Sequence, residues 1–262
     1  MKVIKLKLLC ITAAFFIFQS SYADIGVSVT AAKTDYTIGW ASPVQDGSGE
    51  VEGNDFVDTD FIGRDLTLDY AFEEHQFGVK IGGLSSESPV LSYELAEGFS
   101  NSGKRDEWSL FYTYRLDNGF AITGGYYDSS FEIEDNYTYS GIEGTTDFKV
   151  ENSGYFAGAS YAMSFSENIG GFVRLAYQLS DVNLEYFDTF DGDDYLDLGE
   201  TTGTAFVLGA GIYYVLGESS SVTLFYDAKN FSYDKFVWEQ EEGLTSYEED
   251  MSSLGLSFRY TL

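Results

Sequence analysis

The chain has 262 residues, with 43 acidic side chains against 14 basic ones, a formal charge of -29, one histidine and one cysteine. Such a charge excludes binding to nucleic acid through its phosphates, and an aromatic content of 18% excludes a disordered or fibrous chain. Only Pro43 and Pro89 interrupt it as prolines, and composition marks no linker and no second domain.

At the N-terminus, Lys2, Lys5 and Lys7 precede an apolar run from Leu8 to Phe18, followed by Ser21-Tyr22-Ala23 with small residues on both sides of Tyr22. This is the pattern of a cleaved secretory signal peptide over 1–23. The run is too short for a spanning helix, which needs about 20 residues. Residues 24–262 then form one domain. Cys10 leaves with the leader, so the mature chain has no thiol, disulfide or cysteine metal site. Loss of the three leader lysines leaves 11 basic residues against 43 acidic ones, a charge of -32.

Along the rest of the chain large apolar residues alternate with Gly, Ala, Ser and Thr, and successive strand side chains point to opposite faces, so the pattern predicts strands. Ten such segments lie at 25–33, 61–72, 77–83, 108–116, 120–127, 155–165, 170–180, 204–216, 221–229 and 253–262. The third is the weakest, since Gly82-Gly83 breaks its alternation. Tight turns at 73–76, 117–119, 166–169 and 217–220 alternate with long connections at 34–60, 84–107, 128–154, 181–203 and 230–252. That asymmetry predicts an all-β, transmembrane, antiparallel up-and-down barrel of about ten strands, within a range of eight to twelve, with short periplasmic turns and long extracellular loops.

Volume decides which face is outside. One parity carries Leu66, Leu68, Tyr70, Phe72, Trp108, Leu110, Tyr112, Val173, Leu175, Phe206, Leu208, Ile212, Leu224 and Tyr226; the other carries Gly78, Gly82, Gly125, Gly158, Gly209 and Gly211 with a few charges. Small and ionic residues suit a narrow lumen and cover a soluble exterior poorly. Aromatics near the strand ends, such as Phe77, Phe165, Tyr214 and Phe258, fit an interfacial girdle. The competing reading is a secreted β-sandwich with the aromatic face as its core.

The leader, the turn and loop alternation, and the ending Leu254-Gly255-Leu256-Ser257-Phe258-Arg259-Tyr260-Thr261-Leu262 together resemble the small bacterial outer-membrane β-barrel superfamily. The resemblance implies a location in the Gram-negative outer membrane, contact with its lipid and lipopolysaccharide, and recognition by the barrel-assembly machinery. It also implies that Gly255, Phe258, Tyr260 and Leu262 act as the insertion signal, although Leu262 departs from the usual terminal aromatic. In architecture alone the chain looks like the omptin proteases and the ten-stranded adhesins.

Parity turns Asp65, Asp69, Lys80, Arg115, Arg174, Asp227, Lys229 and Arg259 into the lumen. Arg115, Arg174 and Arg259 are expected to gather around Asp69 in the periplasmic half, with Lys80 near them and Asp65, Asp227 and Lys229 higher. Two readings of this interior stay open: a plug of ion pairs and a basic constriction that tunes ion selectivity. His75 lies in the first periplasmic turn without partners, where a solvated histidine is expected. An omptin-like histidine with paired aspartates cannot be placed on any residue. Positions 40–60, 84–107, 128–154, 181–203 and 230–252 hold 33 of the 43 acidic residues. Asp188, Asp191, Asp193, Asp194 and Asp197 form their densest segment, read either as a solvated charge run or as a loop that loosely binds calcium or magnesium. No other cofactor is expected. The function expected is that of a non-enzymatic outer-membrane barrel, structural or porin-like with a narrow lumen; the alternative is a surface-binding protein or adhesin acting on an unknown ligand through acidic, aromatic loops.

Overall fold

The computed structural model describes residues 23–43, 50–52, 57–86, 97–139, 141–234, 236–238 and 244–262. Except for Ala23, the expected leader lies outside them. Twelve strands appear in chain order: β1 (Ala23–Pro43), β2 (Glu50–Glu52), β3 (Val57–Phe72), β4 (His75–Ser86), β5 (Glu97–Arg115), β6 (Phe120–Tyr139), β7 (Ile142–Ser164), β8 (Ile169–Phe190), β9 (Asp193–Gly217), β10 (Ser220–Tyr233), β11 (Phe236–Trp238) and β12 (Leu244–Thr261). Ten of them close a barrel in which each pairs with its sequence neighbours, and β12 returns to β1 from Gly26↔Thr261 to Ala41↔Ser246. The three-residue strands β2 and β11 extend the wall beside β1 and β9.

Turn chemistry explains why the chain reverses where it does. At the end taken as periplasmic, Glu73, Asn118 and Gly119 adopt positive φ in the β3–β4 and β5–β6 turns. At the opposite end the β8–β9 hairpin closes on Asp191-Gly192 with φ of 54° and 85°, the pair of left-handed residues that matches strand twist.

The expected alternation holds, but the strands are far longer than the segments read from sequence. Pairing runs unbroken from Phe120↔Tyr161 to Tyr139↔Ile142 and from Ile169↔Tyr214 to Phe190↔Asp193. The connections at 128–154 and 181–203 are therefore mostly ladder rather than loop. β9 has 25 residues, whereas a tilted membrane strand needs about 9 to 11.

The outer wall divides at one level. Below it the outward parity is apolar and exposed, with Leu208 at 53% and Leu256 at 56%. Above it the same parity carries Asp60, Asp106, Asp128, Asp181 and Asp250. Phe72, Phe77 and Tyr112 pack ring on ring at the lower edge, with centroids 6.2 and 4.9 Å apart. Trp108, Tyr126 and Tyr155 do so at the upper edge, at 5.6 and 5.4 Å. These two aromatic rows bound the belt as girdles.

His75 is not the solvated turn residue expected. It opens β4 within the lower girdle, its Nδ1 lies 2.8 Å from the Tyr112 hydroxyl, and its ring stacks 5.1 Å from Phe72.

Candidate functional site: the filled lumen

The inward parity also divides, in the opposite sense. In the lower half it carries charges and rings laid over glycines. A Cβ on Gly26 would meet the Asp69 carboxylate at 2.7 Å, and one on Gly125 would meet the Phe156 ring at 2.7 Å. Small residues on one strand thus make room for large side chains from the next. Rings at Phe111, Phe156, Phe172 and Phe225 fill part of a lumen whose sequence showed mainly its glycines.

The charges form tiers. Nearest the periplasmic turns, Arg259 clamps Asp69 with two hydrogen bonds, at 2.5 and 2.7 Å, while Gln76 donates to Asp69 at 2.9 Å and accepts from Arg115 at 3.1 Å. Arg259 therefore contacts Asp69 directly, and Arg115 reaches it only through Gln76. Arg174 does not: its guanidinium donates twice to Asp227, once at 2.9 Å from Nε. Gly209 lies between them, and its missing side chain lets Arg174 on β8 reach over β9 to Asp227 on β10. Arg174 is 49% exposed, so water reaches this tier from below. Lys80 pairs with Asp65 at 2.8 Å on the neighbouring strand. Lys229 meets Glu107 at 3.7 Å, and β10 and β5 stand on opposite sides of the ten-stranded ring, so this pair crosses the lumen.

Above that crossing the interior becomes an apolar core. Tyr36, Phe61, Phe131, Phe231, Ile133, Val182 and Leu184 are all at most 3% exposed. Tyr36 on β1 and Phe131 on β6 meet across the lumen with ring centroids 5.0 Å apart, and Phe61 closes on Tyr36 at 5.3 Å. Embedded in the core is a second cross-lumen ion pair, Arg105 on β5 with Glu249 on β12, 2% and 3% exposed. Ser129 accepts from Arg105 at 3.2 Å, the Tyr233 hydroxyl donates to Glu249 at 2.5 Å, and the guanidinium stands 5.7 Å from the Phe231 ring centroid. Burial, and then the negative charge of Glu249, hold the Tyr36 and Tyr233 phenols well above their ordinary range.

Arg105, Glu107, Glu249, Tyr36 and Tyr233 were absent from the sequence-predicted site. A signal existed: Arg105 and Glu107 continue the inward parity of Ser109, Phe111 and Thr113, and Glu249 continues that of Gly255 and Arg259. The reading stopped because these positions fell inside acidic connections.

The acidic segment lies on the β8–β9 hairpin. Asp188 accepts from Thr146 at 2.8 Å and from Tyr137 at 3.2 Å, Asp197 is buried, and Asp191, Asp193 and Asp194 are exposed at the tip. Among the described residues no three carboxylate, histidine or cysteine side chains converge as metal ligands. At the C-terminus, Gly255 lies beneath Phe225, while Phe258, Tyr260 and Leu262 face outward.

No family model matches the chain, and no curated protein matches its sequence. Solved structures do match in fold. The outer membrane protease OmpT of Escherichia coli aligns over 91% of this chain and 97% of its own, at 9% identity and a TM-score of 0.56. The β domain of the Bordetella autotransporter BrkA covers 90% and 98%, at 11% identity and a TM-score of 0.47. The chain has the fold of an outer-membrane β-barrel. On that fold the exposed apolar belt lies beneath a polar extension of the same wall.

Proposed function

We propose that this protein is a non-enzymatic outer-membrane barrel whose lumen is closed to solutes, so that the structural half of the expected function is favoured over the porin-like half. The observation that carries the reading is the contact of Tyr36 with Phe131 across the lumen, seated above the Glu107–Lys229 crossing. A conducting pore needs a continuous wet path, and side chains buried to this degree argue against one at that level.

Support for a non-enzymatic role comes from the placement of the titratable groups. General acid–base chemistry at neutral pH favours a histidine beside the reacting group. His75 lies on the outer wall in the lower girdle, hydrogen-bonded to Tyr112, away from the lumen carboxylates. Planar-bilayer recording of the refolded barrel tests the closed lumen. No current steps are expected, and stepwise conductance in the unmodified protein would overturn the reading.

A second reading, surface binding above the membrane, is favoured by the height of the β6–β7 and β8–β9 hairpins and by their aromatic stacking, such as Tyr137 on Phe190 with centroids 6.2 Å apart. Shortening one hairpin at a time should abolish cell-surface binding of a partner if this is correct, and leave the barrel folded. Assembly through the C-terminal signal belongs to the same proposal, with Phe258 and Tyr260 as its outward aromatics.

A further inference from the structure

Through most of the barrel an inward carboxylate has a basic partner on another strand. Asp69 meets Arg259, Asp65 meets Lys80, Asp227 meets Arg174, Glu107 meets Lys229 and Glu249 meets Arg105. Charges removed from water persist chiefly when paired in this way.

Near the tips of the two tall hairpins the pattern changes. Asp135 on β6 is opposite Thr146 on β7, Thr146 is opposite Asp188 on β8, and Asp188 is opposite Tyr195 on β9. The row shares the inward parity of Phe131, Phe148 and Leu184. Asp188 stands three residues before Asp191, where the β8–β9 hairpin closes, so the row lies at the outer end of the barrel. The inward basic side chains among the described residues all lie at or below the level of Arg105, which is opposite Phe131, four residues beneath Asp135. Neither Asp135 nor Asp188 has a basic partner among the described residues.

Asp135 is the decisive member. It is 3% exposed, and its buried Oδ1 has no hydrogen-bond partner. Asp188 accepts from Thr146 and Tyr137, both on Oδ1, which leaves Oδ2 to a further donor. The two carboxylates sense each other, since burial and then the charge of Asp188 push the Asp135 carboxyl up to about 6. At neutral pH Asp135 is still mostly ionised, and a buried anion of this kind calls for a cation. Half-buried rings flank the row, Tyr137 against Phe190 with centroids 6.2 Å apart and Tyr195 against Tyr186 at 6.1 Å. Aromatic faces attract ammonium groups and cover the alkyl stems that carry them.

We propose that Asp135 and Asp188 bind a primary alkylammonium group at the outer mouth of the barrel, with Tyr137 and Tyr195 beside its stem. The proposal rests on the surface-binding reading of the tall hairpins and names the chemistry of the ligand. An ammonium has three diverging donors that can serve single oxygens on separate carboxylates, whereas a guanidinium fork suits two oxygens of one carboxylate. Calcium needs six to eight oxygens at about 2.3 to 2.6 Å. Here the two carboxylates belong to backbones about 10 Å apart with a threonine between them. A lysine side chain of a partner protein and a free polyamine both carry the proposed group.

Calorimetric titration of the full mature barrel, refolded in detergent at pH 7.5, tests the site. The probes are spermidine, Nα-acetyl-lysine amide, its Nε-acetylated neutral counterpart, and calcium chloride at matched ionic strength. One equivalent of amine is expected to bind, and the tighter of the two amines names the source. Asp135→Asn and Asp188→Asn should each weaken binding about tenfold. Glu134→Gln, one residue away on the exposed outer face, should leave it unchanged. Binding of neither amine, equal binding of the neutral counterpart, displacement by equimolar calcium, or equal weakening by Glu134→Gln would each overturn the site. Heat-modifiable electrophoretic mobility verifies folding, and Asp188→Asn alone decides the matter if Asp135→Asn does not fold. Survival of cell-surface binding after both hairpins are shortened would instead refute the surface-binding reading, which separates the two failures.

Discussion

The Arg105–Glu249 pair provides the sharpest test of the filled lumen. Both side chains are at most 3% exposed and lie on strands four places apart around the barrel, within a core containing Tyr36, Phe131 and Phe231. Replacing Glu249 with Leu leaves a guanidinium in that core with Ser129 as its remaining hydrogen-bond acceptor, and removing one partner of a buried pair costs about 3 to 5 kcal/mol. Arg105→Leu should cost a similar amount, since it leaves the buried carboxylate without its ion-pair partner, with the Tyr233 hydroxyl still donating to it. If the two losses were independent, the double variant would lose about 6 to 10 kcal/mol. It should instead fall within about 1 kcal/mol of the unmodified barrel, because two leucines remove the desolvation cost together with the attraction. Urea unfolding in lipid vesicles, followed by tryptophan fluorescence and by electrophoretic mobility, gives all four corners of the cycle. Single variants that each cost less than about 1 kcal/mol would mean that water reaches the pair. An additive double variant would mean that the two charges do not interact. Either result refutes a sealed apolar core.

Two other outcomes follow from the same geometry. Leu208→Arg, on the lipid face of β9 and 53% exposed, should destabilise the barrel in vesicles by about 2 to 4 kcal/mol, and unchanged stability would place that face in water. Asp135 is buried inside the upper barrel with its Oδ1 unpartnered, and burial followed by the negative charge of Asp188 pushes its carboxyl from 3.8 up to about 6. The folded state therefore holds a proton that the unfolded chain releases, so stability should fall as pH rises from about 4 to 6. Asp135→Asn should remove that slope in unfolding titrations across the window, and an unchanged slope would assign it to other carboxylates.

Much of the architecture was legible because a strand obeys a rigid period of two. Leu66, Leu208, Leu224 and Leu256 share one parity of their strands, while the other parity carries most of the glycines and the charges, and that contrast assigns the outward face. The β5–β6 turn was legible from Asn118-Gly119, residues that readily adopt positive φ, whereas the positive φ of Glu73 was not. The height of the wall was not, because Asp128, Glu132 and Glu134 on one parity suggest a solvated loop although Tyr127, Phe131 and Ile133 on the other parity are a core stripe. The charge tiers were partly legible. Parity shows which side chains enter the lumen, but the reach of Arg174 over Gly209 to Asp227 depends on a gap two strands away that no local pattern encodes.

The opposite division of the two faces has a single physical cause. A ladder cannot change parity without a bulge, so the rows of side chains that face outward in the membrane still face outward above it. What changes is the surrounding solvent. Lipid is as apolar as leucine, so within the membrane an apolar interior gains nothing over an apolar exterior, and ion pairs such as Arg259–Asp69 can occupy the lumen where water enters from the periplasm. Above the membrane the surroundings are water, and the hydrophobic effect again favours an apolar interior and a charged exterior. The wall therefore exchanges Tyr126 for Asp128 outside over the same few residues in which the lumen exchanges Gly125 for Tyr127 and Phe131 inside. The chain stacks a barrel with its apolar face outward beneath one with its apolar face inward. The Glu107–Lys229 crossing sits at their junction, at the level where the inward parity passes from charges to rings.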